Sequence, residues 1–440
     1  MKNIQLITSL RYVLFGALAL TTSAVQAEKI AITNATVYTV AEQGVLLQAT
    51  VVIEGGKITA VYSKDDVPDS LNADTIIDAK GRILTPGFIA TKNLLGLVEV
   101  GAVSDTRDGS DKKADLTFDA SLAFNPKSSL IPYARKGGIT SNLVMPHGGE
   151  KVFTGQSFVV NLSGEFDSVI VSQNAVIVSL GSTRKGSRAV KLQTLSNELE
   201  DAQKSLAKAE KAKAKKKKSQ GKDKEDKEEK EEKEAKTPSR AEQVMYALLS
   251  GEKPLLAYAD RATDILALLK IKQKYNLDLI LVGASDAVLV SEEIAKAKVT
   301  VMMSAIDNLP TSFDSLHTSL ANVAILSKAG VTVIITNSGE SHNINQLRFD
   351  AGVAIANGLA ETTALAAITA NVADSFNLNS GRIVVGKNAD LVLWSSDPFE
   401  ISTKVDAMWI NGNAMSLTSR QDALRQRYTA DTDMPRAYTK

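Results

Sequence analysis

"TPGFIATKNLLGLVEV", residues 85–100, decides how the chain is read. Proline and glycine open the stretch, a short apolar run follows, and the run passes into a loop rich in leucine and glycine. This is the form of a buried strand that ends on the functional face of an α/β barrel. Yet no histidine, cysteine or carboxylate occurs in it before Glu99. Architecture and chemistry must therefore be read separately.

Downstream the rhythm repeats. "TSNLVMP", "AVIVSLG", "PLLAYA", "LDLILVG", "VTVMMSA" and "VTVIITN" are short apolar runs separated by longer helical stretches. With "TPGFIA" they fall one short of the eight strands of a closed barrel, so one strand is hidden or the barrel is irregular. Upstream, residues 30–83 read as a small antiparallel sheet with Gly55 and Gly56 at a hairpin turn. After the last barrel strand comes a pair of alanine-rich helices broken at Gly358, and then "GRIVVGKNADLVLW" and "VDAMWINGNAM" read as strands. The expected fold is α/β: a TIM-like (β/α)8 barrel, a small composite β-sandwich built from both chain ends, and a charged helical insertion. The expected boundaries are 28–84 with 384–415 for the sandwich, 85–383 for the barrel, 190–238 for the insertion and 416–440 for a C-terminal tail.

The insertion places Leu192, Leu195, Leu199, Ala202, Leu206 and Ala209 at alternating steps of three and four, a coiled-coil-like seam on one helical face. Residues 211–236 then dissolve into charge with no apolar side chain larger than alanine, the composition of a solvated arm. Ser239 and Glu242 form a capping-box pattern for a helix through Leu249, which Gly251 ends.

The net charge is +1 and aromatic residues are 5% of the chain, with no basic-aromatic alternation, which points away from nucleic acid. There is no cysteine, and so no disulfide, no thiolate metal site and no lipid-modified cysteine. Lys2 and Arg11 flank an apolar opening, and the "AVQA" of residues 24–27 suits a signal peptidase. Residues 1–27 are thus expected to be a cleaved signal peptide, which makes the mature chain periplasmic or secreted and not membrane-spanning.

"DAKGRILTPGFIATKNLLGLVEVGA", "GGITSNLVMP", "NGLAETTALAAITANVADSFNL" and "GRIVVGKNADLVLW" together resemble the amidohydrolase superfamily, the urease-related metal-dependent hydrolases. The likeness is greatest to its exported imidazolonepropionase-like branch. The resemblance implies a barrel with a composite β-sandwich, hydrolysis of non-peptide C–N bonds, and a divalent metal. In that family the first strand ends in Asp-x-His-x-His; here Ala90, Lys92 and Leu94 occupy those places. Histidines of two middle strands are matched by Tyr258 and Gly283, and the aspartate after the last strand by Asn337. Leucine and glycine offer no donor, lysine brings a fixed positive charge, and asparagine is no base near neutral pH.

The expected function is therefore a non-catalytic pseudoenzyme, a periplasmic partner or binding protein. Its expected partner is an active amidohydrolase homologue or a second copy of itself, and no cofactor is expected. One alternative is an active hydrolase of cyclic amides, ureido compounds or dipeptides with a rebuilt zinc centre, for which His147, Glu340 and His342 are the candidates. Another is a small-anion binding module whose pocket holds Lys92, Asn93, Asp260, Arg261, Asp286 and Asn337. Lys92 would fill the cation position if Asp260 or Asn337 held its ammonium. His317 reads as structural in a Ser/Thr-rich helical stretch, and residues 182–188 as a basic loop.

Overall fold

The computed structural model describes residues 28–149, 151–181, 187–219, 238–337 and 340–430. The hidden strand is Phe153–Asn161. The barrel strands are β1 (Phe88–Asn93), β2 (Ile139–Val144), β3 (Phe153–Asn161), β4 (Val169–Ser179), β5 (Leu255–Tyr258), β6 (Leu279–Val282), β7 (Thr300–Ser304) and β8 (Val333–Thr336). They hydrogen-bond in chain order. All neighbours are parallel except β3, which runs antiparallel to both β2 and β4. Segments 145–152 and 162–168 are too short for the crossover of a dozen or more residues that a parallel connection takes, so the chain turns back instead. β8 comes to lie against β1, but no ladder joins them among the described residues, so the barrel is nearly closed.

Strand alternation divides the apolar residues into two layers. Ile89, Leu143, Val159, Ile177, Leu256, Ile280, Met302 and Ile334, one from each strand, pack in the lumen with Val372 and Phe376. Their neighbours in the strands, Phe88, Ala90, Leu255, Leu281, Val301 and Ile335 among them, pack outward in the main core. The lumen is thus a filled core, and open space is left to the strand ends and loops.

The second sheet joins the two chain ends. Its order is Asn413–Ala414, Val405–Ile410, Leu391–Trp394, Ile83–Pro86, Ile30–Tyr38, Val45–Glu54 and Lys57–Tyr62, with Thr75–Asp78 also on Ile30–Tyr38. It is mixed rather than antiparallel, because Ile30–Tyr38 pairs in parallel with Thr75–Asp78 and Ile83–Pro86. The stretch "TPGFIA" is split between the sheets. Ile83–Pro86 pairs with Leu391–Trp394, and β1 begins only at Phe88. Gly87 is the joint: its N–H donates to Asp390 O at 2.8 Å, and a side chain there would run into Thr140. Of residues 381–394 only Leu391–Trp394 is a strand. The alanine-rich region is three helices, Leu347–Ala356, Glu361–Ala367 and Ala370–Ser375, rather than two.

The insertion enters as the helix Arg188–Ser219. Leu195, Leu199 and Ala202 are buried in the barrel's own core together with Val244 and Leu248 of the helix Arg240–Leu249. That second helix carries the expected Ser239–Glu242 capping box. Tyr275 Oη donates to Ser196 O at 3.2 Å, and Ser205 Oγ meets Tyr246 Oη at 2.9 Å. The start of the seam therefore packs against barrel elements. The charged stretch at 220–237 and the signal-like residues 1–27 lie outside the described residues. The expected tail contains a helix, Arg420–Thr429, capped by Ser419 and tied down by Lys136 Nζ to Asp422 Oδ2 at 2.7 Å. No helix among the described residues is long and apolar enough to cross a membrane.

Candidate functional site

The C-terminal ends of β5, β6 and β7, with the loop that follows β7, enclose a cavity of about 230 Å³. Lys92, Tyr258, Asp260 and Gly283 line it, four of the positions singled out from the sequence. Lys92 reaches it by a local irregularity: its φ is +58°, and the β1–β2 register skips between Ala90 and Asn93. Such a bulge re-aims one side chain out of strict alternation. No ion-pair or hydrogen-bond partner for the Lys92 ammonium occurs among the described residues, Asp260 and Asn337 included, so the condition for a substituted cation is not met among them.

Asp260 is held from another side. Its Oδ1 accepts from Ser285 N at 3.3 Å and Ser285 Oγ at 3.2 Å, while its backbone carbonyl accepts from Asp286 N at 2.9 Å. Oδ2 has no protein partner among the described residues and remains open to a ligand. Tyr258 ends β5, and burial pushes its phenol above the ordinary value, so the hydroxyl stays neutral. Gly283 has φ +84°, and a Cβ built there would lie 2.8 Å from Asp260 Oδ1. That backbone disfavours an L side chain, and one placed there would displace the tip of Asp260.

The other candidates are placed elsewhere. Ala90 is fully buried in the outer core layer. Asn93 does not line the cavity; it exchanges amide hydrogen bonds with Asn142 at 2.7 and 2.9 Å. Leu94 lies beyond the end of β1, half-buried, its N–H donating to Ser341 Oγ at 3.2 Å. Arg261 turns to Asp314 at 2.9 Å, and Asp314 also pairs with Arg188, which reaches Asp264 at 3.3 Å. Asp286 Oδ2 accepts from Ala262 N at 3.1 Å, which fixes the start of the helix Ala262–Tyr275, and Oδ1 meets His317 Nδ1 at 2.7 Å. His317 sits in a turn rather than a helix. Asn337 is buried, and neither its Oδ1 nor its Nδ2 has a partner among the described residues. His147, Glu340 and His342 are exposed, and no three histidines or carboxylates converge on a metal position among the described residues. Of the basic loop, residues 182–186 lie outside the described residues.

The sequence reading missed the loop after β7. Asp307, Leu309, Thr311, Ser315 and Thr318 line the cavity from there. Ser315 Oγ accepts from Thr311 N and Ser312 N, both at 3.1 Å, and knits the loop together. The available signal was Pro310 amid serines and threonines directly after a barrel strand, where barrels carry their binding loops.

The model of the amidohydrolase family matches residues 158–415. Amidohydrolase tasK of Hapsidospora irregularis is 22% identical over 392 residues, which cover 83% of this chain and 39% of that protein, so this chain spans well under half of that relative. The crystal structure of an amidohydrolase from Thermotoga maritima MSB8 superposes with a TM-score of 0.75 at 23% identity, covering 88% of this chain and 99% of that one. Ochratoxinase of A. niger superposes at 0.54 and 14% identity, covering 88% and 96%. At these identities the structural likeness speaks for the fold. The family match runs over more than half of the chain, and this protein belongs to the amidohydrolase family.

Proposed function

We propose that this protein is a non-catalytic amidohydrolase-fold protein that binds a small ligand at the barrel mouth. The observation that carries the reading is Gly283, whose φ of +84° disfavours any L side chain, a histidine ligand included. The other positions agree in chemistry. A catalytic divalent ion takes three or more nitrogen or oxygen ligands. Lys92 brings positive charge, Leu94 lies past the strand end, Tyr258 stays a neutral phenol, and Asn337 cannot act as a general base. This set does not fit the divalent metal that the family implies. What it does offer is a cavity with charged and hydroxyl groups free to meet a ligand. On this reading the signal-like N-terminus delivers the binding protein to the periplasm.

Elemental analysis of the purified full chain tests the proposal. Zinc, manganese and iron are expected well below one equivalent after dialysis against a chelator-free buffer. A stoichiometric divalent metal that survives dialysis, with hydrolysis of an amide that vanishes on its removal, overturns it in favour of an active hydrolase.

A further inference from the structure

We propose that the cavity takes a small zwitterion of the α-amino-acid class, its carboxylate on Lys92 and its ammonium on Asp260. The inference rests on the binding reading above and names the ligand of that same site. Two opposite charges line one small cavity, yet they form no ion pair with each other within 4.0 Å. Lys92 has no partner at all among the described residues, and Asp260 spends only Oδ1 on Ser285. An ion pair left apart in this way is neutralised by a ligand that carries both complementary charges.

Single-charge ligands fit worse. A plain carboxylate would meet Lys92 but also Asp260 and, at the exposed rim, Asp307. A plain amine would meet the carboxylates but also Lys92. Unscreened like charges at contact distance weaken binding by roughly tenfold or more at an effective dielectric of about 20. Arg261, which would have tilted the site toward anions, is committed to Asp314. Size narrows the class further. At about 230 Å³ the cavity falls below the roughly 300–1,000 Å³ usual for drug-sized ligands. Val282 and Met303 supply an apolar wall against which the ligand's side chain can lie.

Isothermal titration calorimetry of the full chain at pH 7.5 and low salt is the test, with glycine, L-alanine and L-serine as zwitterions, acetate as carboxylate alone and methylammonium as amine alone. At least one amino acid is expected to bind tenfold or more tighter than either single-charge probe. Lys92→Met should weaken both amino-acid and acetate binding by tenfold or more. Asp260→Asn should weaken amino-acid binding by as much and leave acetate no weaker. If acetate equals the amino acids, or Asp260→Asn leaves amino-acid binding unchanged, the zwitterion is overturned while the binding reading stands. If no probe binds at millimolar concentration, the zwitterion is overturned, and the non-catalytic reading is left to the metal analysis that tests it. The comparison of probes on the unmutated chain decides the matter even where a variant does not fold.

Discussion

Gly283 and Lys92 are the residues on which the proposed loss of metal chemistry can be tested one at a time. Gly283→His would force an L side chain to φ +84° and push its Cβ to 2.8 Å from Asp260 Oδ1. A loss of at least about 1 kcal/mol is expected from backbone incompatibility alone. A urea midpoint equal to that of the parent chain would mean that the loop has room after all. Lys92→Met should behave differently. With no ion pair to break, its effect should stay within about 1 kcal/mol, and a loss of several would reveal a hidden buried partner. A third residue, Asp390, sits where the two sheets join. It is 5% exposed, accepts from Asn411 N at 2.8 Å, and burial pushes its pKa up to about 6 against an ordinary 3.8. Between these values the folded chain keeps a proton that the unfolded chain has released, so stability falls as pH rises from about 4 to 6 and then levels. A shift of about two units corresponds to about 3 kcal/mol. Asp390→Asn keeps an acceptor for Asn411 and should flatten this slope in denaturation midpoints taken from pH 4 to 7. An unchanged slope would place the titration on another group.

At the scale of elements, the legible parts are those whose periodicity is set by their own burial. β5 to β8 read clearly because each is buried on both faces, as parallel strands under helices are. β3 did not, because "FTGQSFVVN" mixes polar and apolar residues and its direction follows from the short connections on either side rather than from its own pattern. The Arg188–Ser219 helix was legible as a seam but not as to its partner. Leu195 and Leu199 are wholly buried in the barrel's core, whereas Leu206 is only half-buried. Leu199→Ala should therefore cost about 2–5 kcal/mol, as a large-to-small change in a packed core does. Leu206→Ala should cost clearly less. Equal and small effects in chemical denaturation would show that the insertion stands off the barrel.

At the scale of the whole molecule, the candidate site is assembled from Lys92 of β1, the ends of β5, β6 and β7 and the loop after β7, while Asn337 follows β8. The loop after β7 was missed, while changed residue types were visible in the sequence at Lys92, Tyr258, Gly283 and Asn337. The bulge at Lys92, the position of Leu94 beyond its strand, and the occupied volume at Gly283 were not, because each depends on how strands distant in the chain meet. Among the described residues, the buried side chains of Thr91, Thr336 and Asn337 have polar atoms without a partner, and they belong to β1, to β8 and to the residue that follows β8, the two strands that no ladder there joins. On the proposed reading the backbone as well as the side chains stands against a metal here, since Lys92 and Gly283 both have positive φ. Restoring the donors alone should fail for that reason. A chain with histidine at 92, 94, 258 and 283 and aspartate at 337 would have the donor types of the family but not their geometry, and tight zinc binding requires both. Zinc at tenfold molar excess should leave its thermal midpoint unchanged, since a ligand raises the midpoint only when it binds the folded chain in preference to the unfolded one. A midpoint that climbs with zinc concentration in this variant, and not in the parent, would mean that the five side chains are all that separates this barrel from a metal hydrolase.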